Sequence, residues 1–266
     1  MNSNGLYNTA HGIEKHGFRA TGTVYYNLTE AQLYEEALAR REAQLSAHGA
    51  LVAKTGIHTG RSAKDKHVVR DGKVDERHDL LTGLDSPFGV AFADDTLYVA
   101  ATDAILAYPY ELGQTEITAQ PRVLTPLPGG PINHHWTKDL ALSPDGRYLY
   151  ASVGSNSNIV ENGLEAEKGR AAIWQVDRQT GAARVFASGL RNPNGLTFEP
   201  ETAVLWTVVN ERDELGPNLV PDYMTSVEDG GFYGWPWSYF GNHVDPRVHP
   251  PRPDMVASAL TPDYAL

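Results

Sequence analysis

The sequence predicts a mainly β chain: a partial β-propeller of about three to four blades behind a small N-terminal α/β segment. Three observations predict it. Apolar hairpins recur along the chain, with Phe92, Leu142 and Phe198 in equivalent places 50 and then 56 residues apart. Turn formers are plentiful, 25 Gly and 17 Pro in 266 residues, as many short strands require. Helical periodicity is confined to the first part of the chain and vanishes after about residue 73. The chain therefore divides into residues 1–73 and residues 74–266.

The N-terminal part opens its helix at Thr29-Glu30-Ala31-Gln32, a capping box in which the hydroxyl and the Gln return hydrogen bonds to each other's backbone. Leu33, Ala37, Leu38 and Leu45 line one face of a helix running to about Ala47, and Gly49 ends it. Ala50–Ala53 reads as a short strand. Thr55-Gly56-Ile57-His58-Thr59-Gly60-Arg61-Ser62-Ala63-Lys64-Asp65-Lys66 follows, a glycine-punctuated loop with three cations. By composition it is either a solvated connection or an anion site with Arg61 as a planar fork.

This region resembles the N-terminal part of ATP-dependent phosphoenolpyruvate carboxykinase over about 70 residues, centred on that loop. The resemblance implies that Arg61 descends from a contact to a carboxylic acid substrate. Ala63 stands where that family has proline and His67 where it has an aromatic residue. No glycine-rich phosphate loop ending in Gly-Lys-Ser or Gly-Lys-Thr occurs in the sequence. Phosphoryl transfer is therefore not expected, and Arg61 reads as vestigial.

The β region is built from paired strands. Gly89–Phe92 pairs with Leu97–Ala100, Asp139–Leu142 with Tyr148–Ala151, and Gly195–Phe198 with Val204–Thr207. The middle pair turns at Ser143-Pro144-Asp145-Gly146, where proline presets φ and glycine takes the strained position. Further strands lie at Ala171–Val176 and Ala183–Phe186. A plain β-sandwich is the alternative, but the 40–56-residue period favours four-stranded blades. Residues 80–266 suffice for about three to four, leaving open edges through which chains would self-associate.

Four polar segments border these strands. Asn133-His134-His135-Trp136 carries a base near neutral pH. Gly189–Gly195 reads as a turn with one cation, Arg191. Asn210–Glu214 and Asp222-Tyr223 supply oxygens suited to a hard cation such as calcium, although no EF-hand pattern is present. Glu228–Pro236 completes the set, and its Gly-Trp-Pro with Trp237 and Tyr239 reads as aromatic packing between blades or as a ligand-stacking surface. Taken singly, a loop histidine is also an ordinary surface or capping residue, and an acidic turn is ordinarily solvated.

Together these segments resemble the sorbosone dehydrogenase branch of the soluble quinoprotein glucose dehydrogenase family over about 190 residues. That resemblance implies a six-bladed propeller, pyrroloquinoline quinone (PQQ) and Ca2+ as cofactors, and oxidation of an aldose or sorbosone-type sugar. It makes His135, ten residues before Asp145, the catalytic base. Arg191 and Asn192 fall at the quinone, and the backbone at Asn210 and Glu211 at the bridging calcium. Asp213, Asp222 and Tyr233 are candidate ligands of structural calcium. The acidic residue that usually precedes the base is His134 here, and the family's first blade and late basic clamps have no counterpart.

Composition excludes several classes. A net charge of −11 removes nucleic acid as a partner, and the absence of cysteine removes disulfides and thiolate chemistry. No stretch is apolar enough for a membrane span, and the N-terminus lacks a signal-peptide core. The chain as written is expected in the cytoplasm, although the resembled dehydrogenases are often periplasmic. Three functional readings follow: a PQQ- and calcium-dependent sugar dehydrogenase, a calcium-dependent lactonase on the same scaffold, or a fused, truncated frame without an evolved catalytic role.

Overall fold

The computed structural model describes residues 65–70, 73–216 and 218–266. The helix expected over residues 29–47, the strand over 50–53 and Arg61 lie outside the described residues. The first described elements are β1 (Asp65–Arg70) and β2 (Lys73–Asp79), which pair antiparallel, so β2 runs across the 73/74 position where the sequence was divided.

Three four-stranded antiparallel sheets follow, the blades of the propeller arc. Strands β3 (Val90–Ala93), β4 (Thr96–Ala100), β5 (Ala104–Pro109) and β6 (Arg122–Pro126) form the first in sequence order. Strands β7 (Leu140–Leu142), β8 (Tyr148–Val153), β9 (Ala172–Asp177) and β10 (Ala183–Ser188) form the second. The third contains β11 (Asn192–Phe198), β12 (Leu205–Asn210) and β13 (Tyr223–Ser226). Its outer strand arrives only after an excursion through β14 (Ser238–Tyr239), β15 (His243–Val244) and helix α1 (Pro253–Ser258), as β16 (Tyr264–Ala265).

The repeat seen in the sequence is the inner hairpin of each blade. Phe92 faces Leu97, Leu142 faces Leu149 and Phe198 faces Leu205 across the same ladder position. Alternation then sends side chains to both blade faces, and both are buried. On β4, Tyr98 and Ala100 pack toward the second blade with Leu140, Leu149 and Val153. Leu97 and Val99 turn to the other face, under Leu80, Leu81 and Ile117. Between the second and third blades lie Tyr150, Ile173 and Leu190 against Leu196, Val209 and Tyr223.

The inner segments are also joined directly. Gly89 N donates to Lys138 O at 2.8 Å, and a Cβ on Gly89 would lie 2.5 Å from Leu140 N, so only glycine permits this approach. Ser155 N donates to Arg191 O at 2.7 Å between the second and third blades. The edge strand β10 is not bare: the 230–235 segment runs along it, with Gly230 N on Phe186 O and Tyr233 N on Ser188 O. Among the described residues no helix is long and apolar enough to cross a membrane.

Candidate functional site

Antiparallel pairing brings the loop before β7, the loop after β8, the start of β11 and the end of β12 to one end of the second and third blades. His135 sits in the first of these loops. Its N–H donates to Ser155 O at 3.3 Å, and its ring Nδ1 lies 2.9 Å from the same carbonyl and 3.0 Å from Ser155 Oγ. The His134 ring packs edge-on against it, centroids 4.5 Å apart.

Burial pushes the His135 imidazole down to about 4, and the charge of Arg191 adds to that effect. At neutral pH the ring is therefore an uncharged base. Two other buried groups lie beside this loop. Burial lowers Lys138 to about 7, with its Nζ donating to Trp136 O at 2.9 Å. Burial likewise raises Asp139 to about 6; its Oδ2 accepts from Leu196 N at 2.8 Å while its Oδ1 has no partner.

Gly154 shows how closely the site is drawn together. A Cβ there would stand 2.5 Å from His135 Cβ and would collide with the Asn192 amide. Asn192 belongs to strand β11, opposite Asn210, so the segment read as a turn from its Asn-Pro-Asn-Gly sequence is a strand from Asn192 onward. Pro193 is tolerated because β11 is the edge strand of its sheet, and the ladder shifts register between Asn194 and Leu196, across Gly195. The Asn192 Oδ1 is buried without a hydrogen-bond partner.

Arg191 is buried and reaches the acidic loop. Its Nη1 donates to Glu211 O at 2.7 Å and Asn210 O at 3.3 Å, and its Nη2 donates to Asn158 Oδ1 at 2.9 Å. The carboxylate of Asp213 stands 3.6 Å from Nη2, mostly exposed. Asp222 accepts from Glu211 N at 2.8 Å and from Asn210 Nδ2 at 3.3 Å. A polar chain then leads back to the histidine loop: Asn194 Nδ2 donates to Asn210 Oδ1, and Thr137 Oγ1 to Asn194 Oδ1. Asn210, Glu211, Asp213 and Asp222 are thus brought together.

Tyr233 stands apart from that group. It lies in the core between the second and third blades, its hydroxyl donating to Ser226 O at 2.7 Å and accepting from Glu228 N at 3.1 Å. Both sides of the oxygen are committed to the backbone, which leaves it no ligand role. The Glu211 side chain also turns away from the loop: its Oε2 accepts from the buried Arg212 Nε at 3.0 Å. Among the described residues no group of three or more His, Cys, Asp or Glu is arranged to hold a metal.

Sequence reasoning missed several residues. Asn158 holds Arg191 and Asp213, and its carbonyl accepts from Trp235 Nε1 at 2.9 Å. Arg170 donates to Gly154 O at 3.2 Å, to Asn133 Oδ1 at 2.7 Å and to Gly129 O. Neither has a local signature, because both act on segments distant in sequence. The Gly-Trp-Pro aromatics divide: Trp235 joins the site through Asn158, whereas Trp237 carries Arg252 over its ring.

Open-arc propeller blades with a histidine, a buried arginine and an acidic loop at one end define a propeller-type protein with a polar end-on site. The chain belongs to the family described as TrAA12-like, which it matches over residues 41–225. Among solved structures it is similar to the Trichoderma reesei carbohydrate-active enzyme of family AA12 in an iodide structure, with TM-score 0.67 and 17% identity over 79% of this chain and 68% of that one. It is also similar to the holo form of the PQQ domain of pyranose dehydrogenase from Coprinopsis cinerea (TM-score 0.59, 19% identity, 74% and 59% covered). At these identities the likeness is one of fold.

The N-terminal region has different kin. It is 60% identical over 75 residues to phosphoenolpyruvate carboxykinase (ATP) of a Chelativorans species, and 58% identical over 74 residues to that of Rhizobium meliloti. Each match covers 28% of this chain and 14% of the relative, so the chain spans about one seventh of the curated relatives it matches. The chain is thus a chimera of a carboxykinase-like N-terminal region and a TrAA12-like propeller region.

Proposed function

We propose that the propeller region is a quinone-dependent sugar dehydrogenase, with His135 as the base that removes a proton from the anomeric hydroxyl. The observation that carries this reading is the state of His135. Its Nδ1 meets a carbonyl oxygen and a serine hydroxyl that is itself donating, Ser155 Oγ to Ser157 O at 2.7 Å. Both partners accept, so Nδ1 carries the proton and Nε2 keeps its lone pair.

The residues present fit a flat, oxygen-rich cofactor such as PQQ. Arg191 supplies a fixed cation for the oxygens of such a group, while beside Gly154, where no side chain fits, Asn192 presents an unpartnered buried amide oxygen that would accept from an N–H or O–H of it. Bound PQQ would supply the two-electron acceptor for hydride from the sugar. His135 Nε2 would hold the hydroxyl proton, and Arg191 would favour negative charge developing on nearby oxygens.

The oxygens of Asn210 and Glu211, with Asp222 beside them, are the hard donors that Ca2+ prefers. The same two carbonyls accept from Arg191 Nη1, so calcium binding there requires Nη1 to withdraw. Support also comes from the kinds of protein it resembles in fold, a PQQ domain and an AA12 enzyme with a calcium structure.

The test is dye reduction by aldoses after loading the full chain with PQQ and Ca2+. Aldose-dependent reduction that requires the quinone is expected, and its absence after loading contradicts the reading. Lactone opening that needs calcium but no quinone would instead support hydrolysis at the same base.

A further inference from the structure

The geometry that fixes His135 does not stop at Ser155. Residues 154–157 form a buried stretch between the second and third blades, and one carboxylate grips it. Glu167 Oε2 accepts from Asn156 N at 2.7 Å, and Glu167 Oε1 accepts from Ser157 Oγ at 2.5 Å. Asn156 in turn accepts from His134 N through its Oδ1 at 3.1 Å, and Ser157 O receives the Ser155 hydroxyl. Both oxygens of Glu167 are therefore spent on the two residues that hold the backbone of His134 and the hydroxyl facing His135.

Arg170 leaves the same short turn, which begins as a 3₁₀ helix over Leu164–Glu167. Its guanidinium clasps Gly154 O on one side and Gly129 O with Asn133 Oδ1 on the other. One short turn, exposed at Leu164, Glu165 and Lys168 but with Glu167 and Arg170 buried, thus sends an anion to the stretch carrying Ser155 and a cation to both that stretch and the loop carrying His135. A buried carboxylate is costly unless its oxygens are hydrogen-bonded, and the bonds it makes here rigidify what they hold.

We infer that Glu167 is a positioning residue that sets the Nδ1–H tautomer of His135 through Ser157 and Ser155, with Arg170 holding the facing loop. This rests on His135 acting as the base. It also gives this chain an orienting anion despite His134 standing directly before the base. The anion works at one remove, through hydroxyl and backbone groups, so the imidazole stays uncharged while its ring is fixed.

The experiment is nitrogen NMR of the full chain labelled at histidine, without cofactor, comparing the unaltered protein with Glu167→Gln, Ser157→Ala and Glu167→Asp. The unaltered protein should show His135 as the Nδ1–H tautomer. Glu167→Gln and Ser157→Ala should shift it to a tautomer mixture, and Glu167→Asp should restore part of the Nδ1–H form. In quinone-loaded protein kcat should fall roughly ten- to hundredfold with KM little changed, as loss of ring-orienting partners does elsewhere.

An unchanged Nδ1–H tautomer in folded Ser157→Ala and Glu167→Gln overturns the inference. Should Glu167→Gln not fold, the Ser157→Ala spectrum decides alone, because that change removes the Ser157 hydroxyl's bonds to Glu167 and Val160 N while leaving the carboxylate in place. A tautomer shift in a protein that never turns over aldoses would uphold the positioning role and refute the dehydrogenase reading.

Discussion

His135 is a base whose useful pH range is set by burial. Its folded value of about 4 lies below the ordinary 6.5, so the neutral ring persists down to roughly pH 4. The acid limb of kcat in quinone-loaded protein should therefore fall near pH 4, and a limb near 6.5 would show that the ring is not buried as described. The linkage sign follows from the same shift. Between about 6.5 and 4 the unfolded chain binds a proton that the folded ring refuses, so stability is lost as pH falls through that window. Arg191 allows a second test at this scale. A guanidinium and a divalent cation about 4 Å apart repel by about 8 kcal/mol at a near-surface dielectric. Arg191→Met should then tighten Ca2+ binding at the Asn210 and Glu211 carbonyls at least about tenfold in a calorimetric titration, while turnover is lost.

The inner hairpins were legible in the sequence, because period-two alternation and Pro-Asp-Gly chemistry are local. Phe92, Leu142 and Phe198 proved to be one ladder position in three blades. The start of β11 was not legible: Asn192-Pro193-Asn194-Gly195 has turn chemistry, and only its place at a sheet edge lets it pair. Arg170 and Glu167 were invisible for another reason, since their bonds to Asn133 and Asn156 span 37 and 11 residues. Tyr233 was misplaced because an aromatic oxygen in a glycine-rich loop reads alike as ligand or core. Gly154→Ala tests the closeness of these elements. The added methyl must displace His135 or Asn192, and overpacking of this kind costs about 1–3 kcal/mol in a denaturant melt. A neutral effect would mean the loops are not in contact.

At the scale of the molecule, the excursion between β13 and β16 is held by one buried cation. Arg212 donates to Pro236 O at 2.7 Å and Ser238 O at 2.6 Å, and pairs with Glu211 and Asp245. Arg212→Met should lower stability by about 3–5 kcal/mol, because it strands the buried Glu211 carboxylate and leaves Asp245 with Arg247 alone, and thermal unfolding measures this. Self-association is expected as well. Val123 on β6 and Tyr264 on β16 are more than half exposed at outer edges of the first and third blades, and a mass that rises with concentration would report it.

In the proposed reaction His135 removes a hydroxyl proton while a carbon-bound hydrogen leaves the sugar for a bound quinone. Its most direct measurement is a single turnover of quinone-loaded protein with an aldose deuterated at C1. One lactone per site is expected, slowed by deuterium, with that turnover lost in His135→Gln. Lactone formed at the same rate in His135→Gln, or none from the unaltered protein, would contradict it.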